Sequence, residues 1–485
     1  MRYTEIAKAK PFEGAPKINI ASVYGASPKK PIMIRIPVTG ARPVTYGALG
    51  LPKGLTIEGN VISGKVKAEG SYEITLTAEN ALGKAEKKLT LEIKKDTVCL
   101  TPLLGWTSWN AFGFQVTQEN IESSADKIIE LGLAEYGYNY VNTDSGWQGK
   151  YGGKYDAIMP NEKFPNMKEM VEKIHSKGLK AGIYSTPMLV AFGCSMQHDP
   201  LPPGCTQGEP DDMFGWERSG IGKIRKEKNN ARQWADFGFD YLKYDWRPCD
   251  PYNAEMMRRE LVKTGRDFGF CVTVRARPEY RWYWTKYCNS YRNNPDTICN
   301  WKRHMVIYNS YFEYVDYVNK GHYCDLDMLD SGKCHFFTHM HYPEREDYGL
   351  TEDEQIVAYS MRAFLNSPIQ ISSDLSEASE FEMDMYCNDE IIAINQDAAF
   401  DSAKPIIKID EGAKKIHVFK KVLEDGRVAY ALFNLGENTE TVEVELEEKS
   451  EIRDAWAKRD LEASDKISLE MPSHTARIFT TKKGA

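Results

Sequence analysis

The chain has 485 residues, 42% of them hydrophobic, with 62 basic against 70 acidic side chains. That length exceeds an ordinary single domain and implies two or three, each able to bury a sizeable core. The mildly negative balance, with no basic patch and no apolar run of spanning length, argues against nucleic acid and membranes as partners.

Residues 1–97 read as short strands separated by turns. The segments 31–37 and 71–78 alternate apolar and polar residues, and Lys88-Leu-Thr-Leu-Glu-Ile93 closes the set. Leu51-Pro-Lys-Gly-Leu55, Gly59-Asn60 and Ser63-Gly64 carry turn chemistry. This is the pattern of a small β-sandwich. It holds no clustered acid or nucleophile and reads as accessory. The first eight residues are polar and do not form a signal peptide. The expectation is an exported protein, periplasmic or extracellular, whose signal has been removed and replaced by a start Met; the cytosol is the alternative.

From Leu103 strands alternate with helices. Eight strand candidates follow, at residues 104–109, 138–145, 180–186, 240–246, 271–276, 290–293, 324–329 and 369–374. Between them, one helix carries Ile121, Ala125, Ile128 and Ile129 on one face. Another starts on the capping box Thr351-Glu-Asp-Glu354 and runs through Ile356, Val357, Phe364 and Leu365. These units predict an α/β fold, a closed (β/α)₈ TIM barrel over residues 98–399. An open doubly wound sheet is the alternative, although no GxGxxG follows the first strand. After Ala399 the segments 415–420, 427–433, 440–446 and 475–479 alternate again, with turns at Asp425-Gly426 and Gly436-Glu-Asn438. They predict a C-terminal antiparallel β-sandwich over 400–485.

In such a barrel the C-terminal strand tips converge on one face, where catalysis sits. Asp245 ends the run Asp240-Tyr-Leu-Lys-Tyr-Asp245, and a carboxylate there is rarely a packing residue. Lys243 lies two positions earlier on the same side and favours the ionised acid that a nucleophile needs. A structural ion pair is the competing reading. The other tips supply Trp106 and Trp109, Asp144 and Ser145, Tyr184, Arg275 and Arg277, Arg292, Asn293 and Asp296, Asp325 and Asp327, and Asp374. Carboxylates, one Lys, Arg groups and aromatic faces in one bowl suit a neutral polyhydroxylated ligand. Two carboxylates on opposite walls can perform glycosidic chemistry.

All ten Cys fall between Cys99 and Cys387 without a CxxC pair, which argues against a zinc ribbon. Cys194 and Cys205 share a long loop, residues 187–226, that reads as a lid; they either pair or stay as thiols. The spacing of Cys334, His335, His339 and His341 permits metal ligation. With Phe336, Phe337 and Tyr342 interleaved, it reads better as the wall of a sugar subsite. No metal or organic cofactor is expected.

Several motifs, in order, resemble glycoside hydrolase family 27, the α-galactosidases and α-N-acetylgalactosaminidases. They are Leu104-Gly-Trp-Thr-Ser-Trp-Asn110, Tyr138-Asn-Tyr-Val-Asn-Thr-Asp144, Ala181-Gly-Ile-Tyr184, Lys243-Tyr-Asp245, Tyr291-Arg-Asn-Asn-Pro-Asp296, Asp325-Leu-Asp-Met-Leu329, Ser373-Asp-Leu375 and Ile394-Asn-Gln-Asp397. The N-terminal segment is similar to an immunoglobulin-like module. The resemblance implies a retaining exo-glycosidase, α-galactosidase-like, acting on an oligosaccharide or polysaccharide. It implies Asp245 as nucleophile and Asp296 as general acid/base. Trp109, Asp144, Tyr184, Lys243, Arg292 and Asp374 would line the pocket for the first sugar. Three places depart from the family: Ser145 where a second acid is usual, Trp246-Arg247 after the nucleophile, and the loop Arg275-Ala-Arg-Pro-Glu279. They keep isomaltodextranase-like, α-N-acetylgalactosaminidase and β-L-arabinopyranosidase specificities open. Rivals of another class are a carbohydrate-binding protein without catalysis and a metal-dependent barrel hydrolase, though the tips lack His. The oligomeric state is not set by the sequence.

Overall fold

A computed structural model describes residues 2–188, 225–246, 249–273, 276–292, 294–335 and 349–483. At the N-terminus, one sheet of Val23–Ala26, Gly83–Ile93, Gly70–Asn80 and Thr45–Leu49 shares a core with another of Ile32–Arg35, Val61–Gly64 and Leu55–Glu58. Strand alternation sends Ile34, Ile62, Ile74, Leu76, Leu89 and Leu91 inward, fully buried from both sides.

Among the described residues the barrel ladder contains eight strands, all paired in parallel. In chain order they are Leu104–Thr107, Tyr140–Thr143, Lys180–Ser185, Tyr241–Asp245, Gly269–Thr273, Ser290–Tyr291, Tyr323–Cys324 and Ile369–Ile371. The eighth pairs with the first, and Leu329, beyond the seventh, bridges Ile371. The ring therefore closes, and the open-sheet alternative falls. Several strands stop short of the span that the sequence predicts, because their tips leave the ladder. Trp109 begins a short helix, Trp109–Phe112, and Asp327 has φ 63. Carboxylates take over from ladder partners there: Thr297 N–H donates to Asp327 at 2.6 Å, and Asp327 N–H to Asp325 at 2.8 Å. A hairpin of Gln148–Gly152 and Ala157–Pro160 after the second strand was not foreseen.

The predicted helices form as their patterns require. Gln118–Glu130 buries Ile121, Ala125 and Ile128, with Ile129 packed partly against the same core. Glu352–Phe364 is capped reciprocally: Thr351 Oγ1 accepts from Glu354 N–H, and the Glu354 carboxylate accepts from Thr351 N–H.

The N-terminal sandwich is fastened to the end of the barrel opposite the tips. Lys180, which opens the third strand, donates to the Tyr24 hydroxyl at 2.5 Å. Glu135, ahead of the second strand, is buried between Arg35 at 2.7 Å and Arg42 at 3.2 Å. Ser27 N–H donates to Asp267, ahead of the fifth strand. The module thus buttresses the barrel floor, where these described contacts lie.

The C-terminal sheet is antiparallel, in the order Lys404–Glu411, Lys414–Val422, Val428–Asn434, Thr475–Lys483, Glu440–Asp454, Arg459–Met471. One face places Phe419, Ala431, Phe433 and Ile478 in the barrel's own core; the other buries Val418, Leu432, Val444 and Ile467. Lys421 reaches across this junction. Its ammonium donates to the carbonyls of Phe364 at 3.2 Å and Ile394 at 2.9 Å, and to Asn366 Oδ1 at 3.2 Å. Burial pushes its pKa down to about 7, against the pull of Asp397 and Asp401.

Candidate active site

The third and fourth strands bring the first two functional groups together. Tyr184 and Lys243 are register partners on neighbouring parallel strands, so both side chains leave the sheet on the same side. The Tyr184 hydroxyl donates to Asp245 Oδ2 at 2.9 Å, and Asp245 is only 8% exposed. Burial, then the charges of Asp245 and Asp144, hold the Tyr184 phenol well above its ordinary pKa, so it remains a donor.

Lys243 makes its direct contact elsewhere than the sequence suggests. Its ammonium pairs with Asp144 Oδ2 at 2.8 Å, across from the second strand tip, and lies 5.7 Å from the Tyr184 ring centroid. Burial opposes its charge, but Asp144, Asp327 and Asp245 together raise its pKa, against the opposing charge of Arg292. Asp144 is fixed at its other oxygen by the Ser145 N–H at 2.8 Å, and its own N–H donates to Ser108 Oγ.

The sixth and seventh tips form the facing wall. Arg292 is buried and forks between Asp296 and Asp327, each at 2.5 Å. Its burial is offset by Asp327, Asp296 and Asp245 in that order. The charges of Asp245 and Asp296 both bear on the Arg292 guanidinium and on the Tyr184 phenol. Their settings differ: the Asp296 side chain is 48% exposed, whereas Asp245 lies at the floor. Asp325 lies behind them, its pKa raised by burial and then by Asp327.

The long stretches of this chain match known families. Residues 101–195 and 215–397 match the model for "Alpha galactosidase A", and 413–481 match that for "Alpha galactosidase C-terminal beta sandwich domain". The chain belongs to the α-galactosidase A family. An Ig-domain model matches residues 16–94. Similar proteins include α-galactosidase A of Cellvibrio japonicus, 30% identical over 70% of this chain and 78% of that one. α-Galactosidase 2 of Arabidopsis thaliana is 27% identical over 79% of this chain and 90% of its own. Among solved structures, a Bacteroides fragilis protein provisionally assigned as an α-galactosidase/melibiase superposes with TM-score 0.86 at 28% identity, covering 98% of this chain and 99% of that one. α-Galactosidase I of Mortierella vinacea gives 0.66 at 25% identity over 79% of this chain and 97% of that one. The family membership makes this chain a glycoside hydrolase.

Within this family member the strand-tip residues pair as Tyr184 with Asp245, Lys243 with Asp144, and Arg292 with Asp296 and Asp327. Trp109 clusters with Phe114 and Ile298 beside it. Asp374 sits at the rim. Its Oδ1 accepts from the N–H and hydroxyl of Ser376, and its Oδ2 lies 3.5 Å from His335 Nε2. His335 also pairs with Glu377 at 2.8 Å, and the ligand atoms of His335, Asp374 and Glu377 lie within 4.8 Å of one another. Asp327, which the sequence places at a strand tip without a role, is the second carboxylate on Arg292. Arg247, Arg275, Asn293, His339 and His341 lie outside the described residues. So do Phe336, Phe337, Tyr342, Cys194, Cys205 and most of the long loop.

Proposed function

We propose that this glycoside hydrolase is a retaining, exo-acting α-galactosidase with Asp245 as nucleophile and Asp296 as general acid/base. The observation that carries the reading is the contrast between the two acids. Asp245 is buried at the fourth tip and held by Tyr184, while Asp296 stands half-exposed on Arg292. Asp245 attacks the anomeric carbon as the bond to the leaving oxygen breaks, and Asp296 gives that oxygen a proton. Water then attacks the glycosyl ester, loses a proton to Asp296, and releases the Asp245 carboxylate. The Tyr184 hydroxyl keeps Asp245 oriented in both steps, and Arg292 keeps Asp296 over the floor. Lys243 and Asp144, locked to one another, present a donor and an acceptor to sugar hydroxyls.

Ser145 favours a second reading. With a hydroxyl in place of a second acid, the pocket has one acceptor fewer, and unmatched polar groups are costly. A β-L-arabinopyranoside has the galactose skeleton without its hydroxymethyl group and suits such a pocket. Initial rates on nitrophenyl α-galactoside, β-L-arabinopyranoside, α-N-acetylgalactosaminide and α-glucoside separate the readings. The first anomer released, followed by NMR, should retain configuration. Asp245→Asn should abolish turnover with the fold intact; a variant of near-normal rate removes the assignment.

A further inference from the structure

We propose that the rim of the barrel beside the nucleophile carries a second carbohydrate-binding surface, a stacking platform for the polysaccharide chain that bears the scissile sugar. The proposal rests on the glycosidase reading above and adds its substrate class.

The two most exposed aromatic side chains among the described residues are Tyr252, 69% exposed, and Trp282, 61% exposed. Isolated exposed aromatics are ordinary. These two are not isolated. Tyr252 lies in the first turn of the helix Pro251–Val262, and Trp282 in the first turn of Arg281–Tyr287. These helices follow the fourth and fifth barrel strands, so their first turns stand at the catalytic end. A parallel bridge between Cys249 and Ala276 ties the two intervening loops together just ahead of them. Tyr252 follows Asp245 closely enough in the chain to lie within about 25 Å of it.

Tyr252 and Trp282 border one groove with Glu255, Arg259, Tyr283 and Tyr287. Its floor is firm. The Tyr283 hydroxyl donates to Glu255 at 2.6 Å, Tyr283 and Tyr287 have ring centroids 4.9 Å apart, and Arg258 lies 4.7 Å over the Tyr287 ring. The Glu255 side chain remains 43% exposed and that of Arg259 58% exposed. Aromatic faces flanked by a carboxylate and a guanidinium are what a pyranose ring needs. Its C–H face stacks on the ring, and its edge hydroxyls bond to the charged groups. Opposite charges side by side favour a neutral ligand over a charged one. A neutral polysaccharide running out of the catalytic bowl therefore fits, and a small aryl glycoside is too short to use it.

The test uses the full chain as wild type and as Y252A/W282A, with galactomannan as the polymer. Retention of the protein on insoluble galactomannan is read without turnover, and kcat/KM is read on soluble galactomannan and on nitrophenyl α-galactoside. The expected result is a roughly fivefold or greater loss of polymer retention and of polymer kcat/KM, with nitrophenyl kcat/KM within about twofold of wild type. W282Y, which keeps an aromatic face, should recover most of the retention. Three results overturn the proposal: no retention of the wild type, equal losses on both substrates, or unchanged polymer binding in the double variant. If the wild type cleaves no nitrophenyl α-galactoside yet is retained by galactomannan through Tyr252 and Trp282, the platform stands and the α-galactosidase assignment falls.

Discussion

Lys421→Met tests how the C-terminal sheet is held to the barrel. The wild-type amine has an ordinary pKa of 10.5 unfolded and about 7 when buried. Below about pH 7 it is charged in both states, so the cost of burying the charge is fully present. Between the two pKa values only the unfolded chain holds the extra proton, so stability rises with pH; above 10.5 the cost is gone. The difference in pKa corresponds to an upper limit of about 5 kcal/mol. The neutral amine keeps two N–H donors for the three acceptors Phe364 O, Ile394 O and Asn366 Oδ1, and a thioether restores neither bond. Each is worth about 1 kcal/mol. The variant should therefore be less stable than wild type near pH 9.5 by about 1–2 kcal/mol, and equal or more stable near pH 6.5. Urea unfolding of both proteins across that range checks it, since subtraction cancels the other titrating groups. The variant-minus-wild-type difference should move by about 3 kcal/mol between those two pH values. A difference that stays flat refutes the idea that this lysine is a neutral amine at the junction.

Tyr184→Phe removes the donor to Asp245 and should lower kcat by roughly 10- to 100-fold on any cleaved nitrophenyl glycoside, with an unchanged circular dichroism spectrum. Asp327→Asn takes one of the two carboxylates from buried Arg292; a loss of about 3–5 kcal/mol in urea unfolding is expected, together with a raised KM. Glu135→Gln leaves Arg35 and Arg42 without their shared buried acid. The sandwich should then be released earlier in limited proteolysis, while nitrophenyl turnover stays within about twofold, because the module sits at the far end of the barrel.

Much of the barrel was legible because period carries it. Seven of the eight barrel candidates overlap a real strand by two residues or more, the candidate at 324–329 by Cys324 alone, and the capping box at Thr351 formed as written, because both follow from local chemistry that the chain states within a few residues. Strand ends were less legible. At the tips, side chains rather than ladder partners satisfy the backbone, as Asp325 and Asp327 do, and a periodic pattern cannot announce that exchange.

Residue identity at the tips determined the chemistry on offer: acids at 144, 245, 296 and 327, a lysine at 243 and an arginine at 292. Partnership was decided only in three dimensions. Lys243 and Asp245 share a strand face, yet the lysine bonds to Asp144 and the nucleophile candidate is held by Tyr184, each from a different strand. Barrel closure sets these neighbours, since strand stagger and tilt bring tips together at angles that spacing along one strand does not encode. The same holds for Lys421 and Glu135, whose partners lie in other domains. Sequence names the groups; packing of distant segments selects which charge meets which, because a buried charge is tolerated only beside a partner that the fold delivers.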